Sequence, residues 1–457
     1  MNARAIRDRL EHGDRLRVAF LNDLGFQYGA GLAHLRQIQS FLLAGHEVCG
    51  VCWAQGEVEN GVRVQPNGSR GRWLGMTSLP ELRGGDGRDD RSIVKAIVAQ
   101  VEPLHPELVI VGNLHAARWP LALFDALRRT GAVVVGFMHD CYFATGRCAY
   151  PGECRLHETG CDTTCPTAAE YPALPAAQIP GAWRHRRELF SGPEGIPLAS
   201  NSRWTLDVAR RSFAGMRFGD VVYYGLDERL FRPIDRALSR RLLGIPEDRF
   251  VVLGGAVNMS DRRKGGAVFR ELAAALRGQA HFLVFGAEAS GIDGVEATGL
   301  LRDYRKMPLL YSAADLFVAT SLEEAFGQTL CEAAACGLPS VAFRVGGIPE
   351  IARPDCNACL VEPFDVRALV EEVRALIQDA PRRAALGRAG RELVEREFTL
   401  AAQAARWMKY LDDLCSLGAR GAITGGRAHG YRDASARREE EGDVLRIVDD
   451  EQRRDRP

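Results

Sequence analysis

The sequence has no excess charge of either sign: lysine plus arginine and aspartate plus glutamate stand at 59 each. No basic field marks it for nucleic acid or anionic lipid, so a small ligand or a locally charged pocket is favoured. Nowhere does it approach the roughly 18 unbroken apolar residues of a membrane span. The charged opening segment 1–15 also lacks the apolar stretch of a secretory leader, and a cytoplasmic location is expected. No repeat of fixed period runs through the chain. What is present, 46% hydrophobic and 26% charged residues over 457 positions, is the composition of a soluble globular protein of two or three domains.

Cysteine is plentiful, at 12 residues, but in a reducing compartment disulfides are not expected. Cys49 and Cys52 are spaced like a redox motif. They lie in an apolar strand-like run, 46–53, whose residues i and i+3 face opposite sides, and therefore read as buried structural thiols. Cys331, Cys336, Cys356, Cys359 and Cys415 have the same reading.

Apolar runs at 17–21, 108–111 and 133–138 alternate with helical patterns at 32–43 and 118–129, as in parallel βαβ units. A glycine-rich turn at 28–31 is expected to join the first strand to the first helix. A second alternating series begins near Phe250, with strands at 251–257, 281–285, 316–319 and 340–343. Its helices fall at 266–276, 304–313, 328–335, 366–377 and 381–397. The fold class is therefore α/β, with two doubly wound, Rossmann-like domains. We expect the first at 15–225, with a Cys-rich insertion at 140–180 too long for an ordinary connection. The second is expected at 226–400, a helix at 401–416 should cross back to the first, and the polar tail 417–457 is expected to be disordered.

In open α/β sheets, ligands bind beyond the carboxyl ends of the strands, where helix N-termini present free N–H groups. The segment 316–332 has that layout. Gly327 would let the backbone approach a diphosphate, whose oxygens the N–H groups of Gln328 and Thr329 could meet. Glu332 could accept the ribose hydroxyls, and Glu324 hydroxyls of a sugar.

Here the sequence resembles the retaining glycosyltransferases of family 4. Their signature is two glutamates with seven residues between them around a Phe-Gly pair, here Glu324, Phe326, Gly327 and Glu332. Tyr224-Gly225-Leu226-Asp227 with Phe231-Arg232-Pro233 resembles the family's interdomain junction. Asp261-Arg262-Arg263-Lys264-Gly265 resembles its Asp-x-Arg-Lys-Gly segment, and Gly346-Gly347-Ile348-Pro349-Glu350 its Gly-Gly-x-Pro-Glu turn. The resemblance spans roughly 15–415 and implies GT-B architecture, two Rossmann-like domains facing a central cleft. It also implies a UDP- or GDP-sugar donor and no cofactor required for catalysis. Lys264, with Arg262 or Arg263, would stabilise the departing diphosphate. Gly29, Ala30 and Gly31 stand where the family has a Gly-Gly loop facing the phosphates. His139 matches a histidine placed against the transferred sugar, and Tyr224 replaces the usual asparagine at the junction.

The run from Met138 to Cys154 resembles a narrower branch, the colanic acid and exopolysaccharide enzymes. The implied acceptor is a glycan, lipid-linked or other hydroxyl compound in bacterial polysaccharide or glycoconjugate synthesis, with peripheral association at the inner membrane face. A nucleotide-sugar 2-epimerase shares the two-domain architecture, and a non-catalytic sugar-nucleotide-binding module is the third reading. The signature glutamates and the Lys-Gly segment argue against the epimerase, and the survival of Lys264, Glu324, Glu332 and His139 argues against the module. Finally, Cys148, Cys154, Cys161 and Cys165 crowd a loop too poor in apolar residues to order itself. A structural Zn²⁺ held by four thiolates would supply the missing cross-link, with Cys141 and His157 as spare ligands.

Overall fold

The inner strands of the chain are nearly continuous runs of buried apolar residues, the pattern of parallel sheets covered on both faces. A computed structural model describes residues 3–54, 64–85, 89–287, 293–301, 303–354 and 356–421. The first half builds a sheet from β1 (Arg17–Leu24), β2 (Glu47–Ala54), β3 (Arg72–Ser78), β4 (Leu108–Val111), β5 (Val133–Met138), β6 (Leu198–Ser200) and β7 (Gly219–Val221). The second half builds another from β8 (Val251–Asn258), β9 (His281–Ala287), β10 (Val295–Gly299), β11 (Leu316–Ala319), β12 (Ser340–Phe343) and β13 (Ala358–Val361).

Spatial order is β3-β2-β1-β4-β5-β6-β7 in one sheet and β10-β9-β8-β11-β12-β13 in the other. All neighbours in the first are parallel, as are those in the second. Strand order therefore reverses between β1 and β4 and again between β8 and β11, the points where such sheets open a crevice at their carboxyl ends.

Polar side chains fix the helices to these sheets. Asp315, buried at the start of β11, accepts from Arg236 and Arg240 at 2.6 Å each and from the Val251 amide at 2.8 Å. That carboxylate ties the helix Arg236–Leu243 to the second sheet. The helix Asp90–Val101 begins on Asp89, whose side chain accepts from the amides of Arg91 and Ser92, satisfying donors that a helix start leaves free.

The segment 28–31 is not the turn expected from its glycines. It is the first turn of the helix Tyr28–Leu43. The chain doubles back so tightly there that a Cβ on Gly31 would lie 2.0 Å from the Gly25 carbonyl oxygen, so glycine serves close approach. The helix expected at 304–313 is a 3-10 turn, Tyr304–Lys306, followed by the helix Met307–Ala313. Cys49 and Cys52 are both buried, and burial pushes their thiols up to about 12 and about 11.

The described residues up to Cys415 form one compact unit, and the division falls at the start of the tail 416–457. Of that segment only the end of the helix Leu400–Gly421 is described; the rest of the tail expected to be disordered lies outside the described residues. Within the compact unit the chain passes between the halves twice, side by side. The Leu226 amide donates to Phe398 O at 2.9 Å, and the Leu400 amide to Leu226 O at 3.1 Å. A Cβ on Gly225 would stand 2.3 Å from Thr399 O, so only glycine allows this contact. Beyond it, Trp407 is fully buried and packs on Phe41 and Phe137 of the first half, ring centroids 5.4 and 5.7 Å away. No helix among the described residues is long and apolar enough to cross a membrane.

His34, on the helix Tyr28–Leu43, is buried against Phe20. Burial pushes its pKa down to about 3. In the unfolded chain it would titrate near 6.5, so below that pH the unfolded state takes up the proton first and folding loses about 1.4 kcal/mol per pH unit. Urea unfolding of wild type and His34→Gln should therefore give a stability difference that moves against wild type as pH falls from 7.5 to 5. A difference independent of pH would show that the imidazole is not held neutral.

Candidate functional site

Beyond β8 the chain makes a 3-10 turn, Arg262–Lys264, started by Asp261, whose side chain accepts from the Arg263 amide. Lys264 Nζ donates to Glu324 Oε2 at 2.6 Å. Glu324 sits in the loop between β11 and the helix Gln328–Ala335. Burial alone would raise its pKa, but the Lys264 ammonium outweighs that and holds the carboxyl below its usual range. The two loops are stitched together: the Leu322 amide donates to Arg263 O at 2.7 Å, and the Gly347 amide to Glu324 O at 2.9 Å. Arg262 is exposed. Arg263 is partly buried, with its guanidinium 4.1 Å from the centroid of the Tyr150 ring.

Phe326 is buried, its ring 4.9 Å from that of Tyr224. Gly327 caps the helix Gln328–Ala335, so Gln328 and Thr329 occupy the turn whose N–H groups lack helical partners. Glu332 lies one turn on. Its Oε1 accepts from Arg36 Nη2 at 2.5 Å and its Oε2 from the Tyr311 hydroxyl at 3.0 Å. Arg36 also donates to Gln328 Oε1 at 2.9 Å, and Gln328 Nε2 donates to Gly29 O at 2.8 Å. Gly29 thus meets the second half from the first turn of its helix, while Gly31 packs against the Gly25 carbonyl and Ala30 lies between them. The Arg36 and Glu332 side chains are 5% and 9% exposed, so the carboxylate expected to hold ribose is already engaged.

His139 follows β5. Its Nδ1 and the Tyr224 hydroxyl are 2.6 Å apart, and Asn201 Nδ2 donates to the same hydroxyl at 3.2 Å. Its Nε2 has no partner. Burial lowers the His139 pKa to about 4, with Asp140 pulling the other way, so the ring is held neutral, its Nε2 buried beside Gly112. Asp140 accepts from His115 Nε2 at 3.1 Å and Asn113 Nδ2 at 3.0 Å. Burial would lower His115, but the Asp140 carboxylate raises it. A further contact between the halves is Glu350. It accepts from the amides of Arg203 and Trp204 at 2.9 and 3.1 Å, at the N-terminus of the helix Arg203–Ser212, and from the Tyr223 hydroxyl at 2.7 Å. A carboxylate at a helix N-terminus is favourably placed against the dipole.

Lys264, Glu324, Phe326 and the Gln328 helix therefore gather at the carboxyl end of the second sheet, facing His139 and the Gly29 turn across the cleft. Sequence reasoning gave no role to Arg36 and His115, quoted Asp140 and Tyr150 only as members of the Met138–Cys154 run, and gave Glu350 no partner. Arg36 left no local signal, because Gln39 and Ser40 on the next turn of its helix are buried polar residues too.

Cys148, Cys154, Cys161 and Cys165 line one small cavity, with His157 on its wall. The Gly146 amide donates to Cys161 Sγ at 3.2 Å. Among the described residues no group of three or more His, Cys, Asp or Glu side chains is set to hold a metal ion. His157 is bonded to Ser212 at 2.9 Å, and Cys141 is buried away from that cavity.

Residues 248–379 match the family described as glycosyl transferases group 1. D-inositol 3-phosphate glycosyltransferase 1 of Catenulispora acidiphila is 35% identical over 231 residues, 45% of this chain and 52% of that protein. The D-inositol 3-phosphate glycosyltransferase of Mycobacterium avium is 31% identical over 186 residues, 37% of this chain and 43% of that protein. The chain thus spans about half the length of these relatives or less. Among solved structures, sucrose-phosphate synthase from Thermosynechococcus elongatus superposes with TM-score 0.64 at 20% identity, covering 88% of this chain and all of that one (100%). Anabaena Alr3699/HepE, solved with UDP and glucose, superposes with TM-score 0.65 at 18% identity, covering 87% and 99%. The two-sheet framework is accordingly that of the GT-B glycosyltransferases, and its segment 248–379 carries the sequence pattern of group 1.

Proposed function

We propose that the chain transfers a hexosyl group from a nucleoside diphosphate sugar to a hydroxyl acceptor, with retention at the anomeric carbon. The observation that carries this reading is the Lys264–Glu324 pair, 2.6 Å apart at the reversal point of the second sheet. A cation there is placed to meet the charge that grows on the diphosphate as the anomeric bond breaks. Glu324 would accept hydroxyls of the sugar. Neutral His139, with Nε2 unpartnered, would bond the same sugar from the other half. The N–H groups of Gln328 and Thr329, and those of the turn holding Gly29, Ala30 and Gly31, would receive phosphate oxygens. Ribose would take Glu332 by exchange with Arg36, a swap of one charge-assisted bond for others. The acceptor hydroxyl attacks from the face the diphosphate leaves, and a donor phosphate oxygen takes its proton.

HepE has been solved with UDP-glucose, which makes that compound the first donor to test here. We place the acceptor among glycans, lipid-linked compounds or other hydroxyl compounds of bacterial polysaccharide or glycoconjugate synthesis. The inositol phosphate acted on by the relatives, as their names have it, belongs in the same screen. The site needs no catalytic metal in this reading because Lys264 and an adjacent arginine neutralise the leaving group. The four-thiol loop is read as a structural Zn²⁺ site. Its cavity offers sulfur without a carboxylate on its wall, and an amide donating to a sulfur steadies a thiolate. Burial, with the neighbouring Cys148, Cys154 and Cys165, pushes the Cys161 thiol up to about 12, and a bound cation would favour the thiolates.

Transfer from UDP-glucose, followed by NMR, should give a product with the donor's anomeric configuration, and EDTA should leave the rate largely intact; inverted product, or strict dependence on Mg²⁺ or Mn²⁺, would overturn the mechanism. Lys264→Ala, checked for folding by thermal melting, should lower kcat about 100-fold or more while moving donor KM much less. Normal kcat would remove Lys264 from the chemistry. Elemental analysis should find about one zinc per chain, and metal-free protein with full activity and a protease-resistant 140–180 segment would reject the zinc site.

A further inference from the structure

The insertion does more than decorate the first half. Its segment around Cys148 is anchored from below: Arg147 donates to the carbonyls of Glu170 and Pro172 at 2.5 and 2.8 Å and to Thr167 Oγ1 at 2.7 Å. Arg186 holds the Tyr142 and Gly146 carbonyls at 3.0 and 3.1 Å. From this base the next residues reach the second half. The Tyr150 ring lies under the Arg263 guanidinium at 4.1 Å, and a Cβ on Gly152 would lie 3.7 Å from both oxygens of the Glu323 carboxylate.

Arg263 is held on two sides, by that ring and by Asp261, which accepts from Nη2 at 2.5 Å. Its Nη1 is buried without a partner, and so is Glu323 Oε2. A buried guanidinium N–H left open is costly unless something fills it, and beside Lys264 an anion is what would. The nearby Glu323 carboxylate is a rival acceptor.

We propose that Tyr150 is a positioning residue: its ring fixes the plane of Arg263, so that Nη1 meets the donor's diphosphate and does not collapse onto Glu323. This rests on the donor-site reading above and assigns the second phosphate cation to Arg263, not to exposed Arg262. It also gives the Cys-rich insertion a task in the donor site of the opposite half. The ring face holds the guanidinium by cation–π attraction.

The test uses the full-length protein, UDP and uridine as calorimetric ligands, and UDP-glucose turnover. Tyr150→Phe keeps the ring and should stay within about threefold of wild type in both. Tyr150→Leu keeps bulk without a π face; it should weaken UDP about tenfold while leaving uridine unchanged, and should lower kcat more than it raises donor KM. On an Arg263→Gln background, Tyr150→Leu should cost nothing more, since its effect passes through that arginine. Full losses that add across the two sites, or equal weakening of UDP and uridine, would overturn the positioning role. If wild type itself binds UDP no better than uridine, the donor-site reading fails first; if wild type discriminates and Tyr150→Leu does too, only Tyr150 loses its role.

Discussion

The structure depends on one constraint: a charge taken out of water within or between the halves must find a partner there. Removing a single member of a buried pair costs several kcal/mol, because the survivor is stranded. Arg36 with Glu332, Lys264 with Glu324, and His115 with Asp140 all obey it, and Glu350 obeys it by closing on a helix N-terminus. Of these, Arg36 with Glu332 and Glu350 with the Arg203–Ser212 helix join the halves, while the other two pairs each lie within one half. A ligand entering such a cleft does not add charge to an apolar hole; it changes partners with charges already matched, which keeps the desolvation cost low on both sides of the exchange.

Those charges arise where the fold allows them. In each sheet the inner strands are buried on both faces and can carry little but apolar side chains, so polar chemistry is pushed to the loops at strand ends and to the first turns of helices. Because both sheets share the order of their first six strands and face one another by these ends, two sets of loops meet. The Lys264 turn and the Glu324 loop come from strands paired side by side, β8 and β11, which is why residues 60 apart in sequence can share a proton-scale contact.

Much of this frame was legible in the sequence, for a physical reason. Long strands such as β8 and β9 are continuous apolar runs, and the helix Gln328–Ala335 follows a glycine where the period changes from strand to helix. The three-residue strands β6 and β7 are too short to show a period and went unseen, and the glycines at 29 and 31 disguised a helical turn. The site was legible only in part. Lys264, Glu324 and Glu332 stand in local motifs, but Arg36 meets Glu332 across 296 positions, and nothing local to either marks the other. Tyr224 read as a departure from a familiar asparagine; in three dimensions its hydroxyl reaches His139, a contact no spacing rule contains.

The paired crossings near Leu226 and Leu400 have a mechanical consequence. Two covalent connections that run side by side, bonded to each other through Leu226 and to Gln403 through the Gly225 amide at 3.0 Å, leave the halves little freedom to slide or to swivel independently. What remains is swinging about the line through the two connections. Every opening and closing of the cleft must then retrace nearly the same arc, so a molecule gripped far from that line is moved through a larger distance than one gripped near it. Leverage, set by distance from a fixed axis, decides which contacts report the motion most strongly.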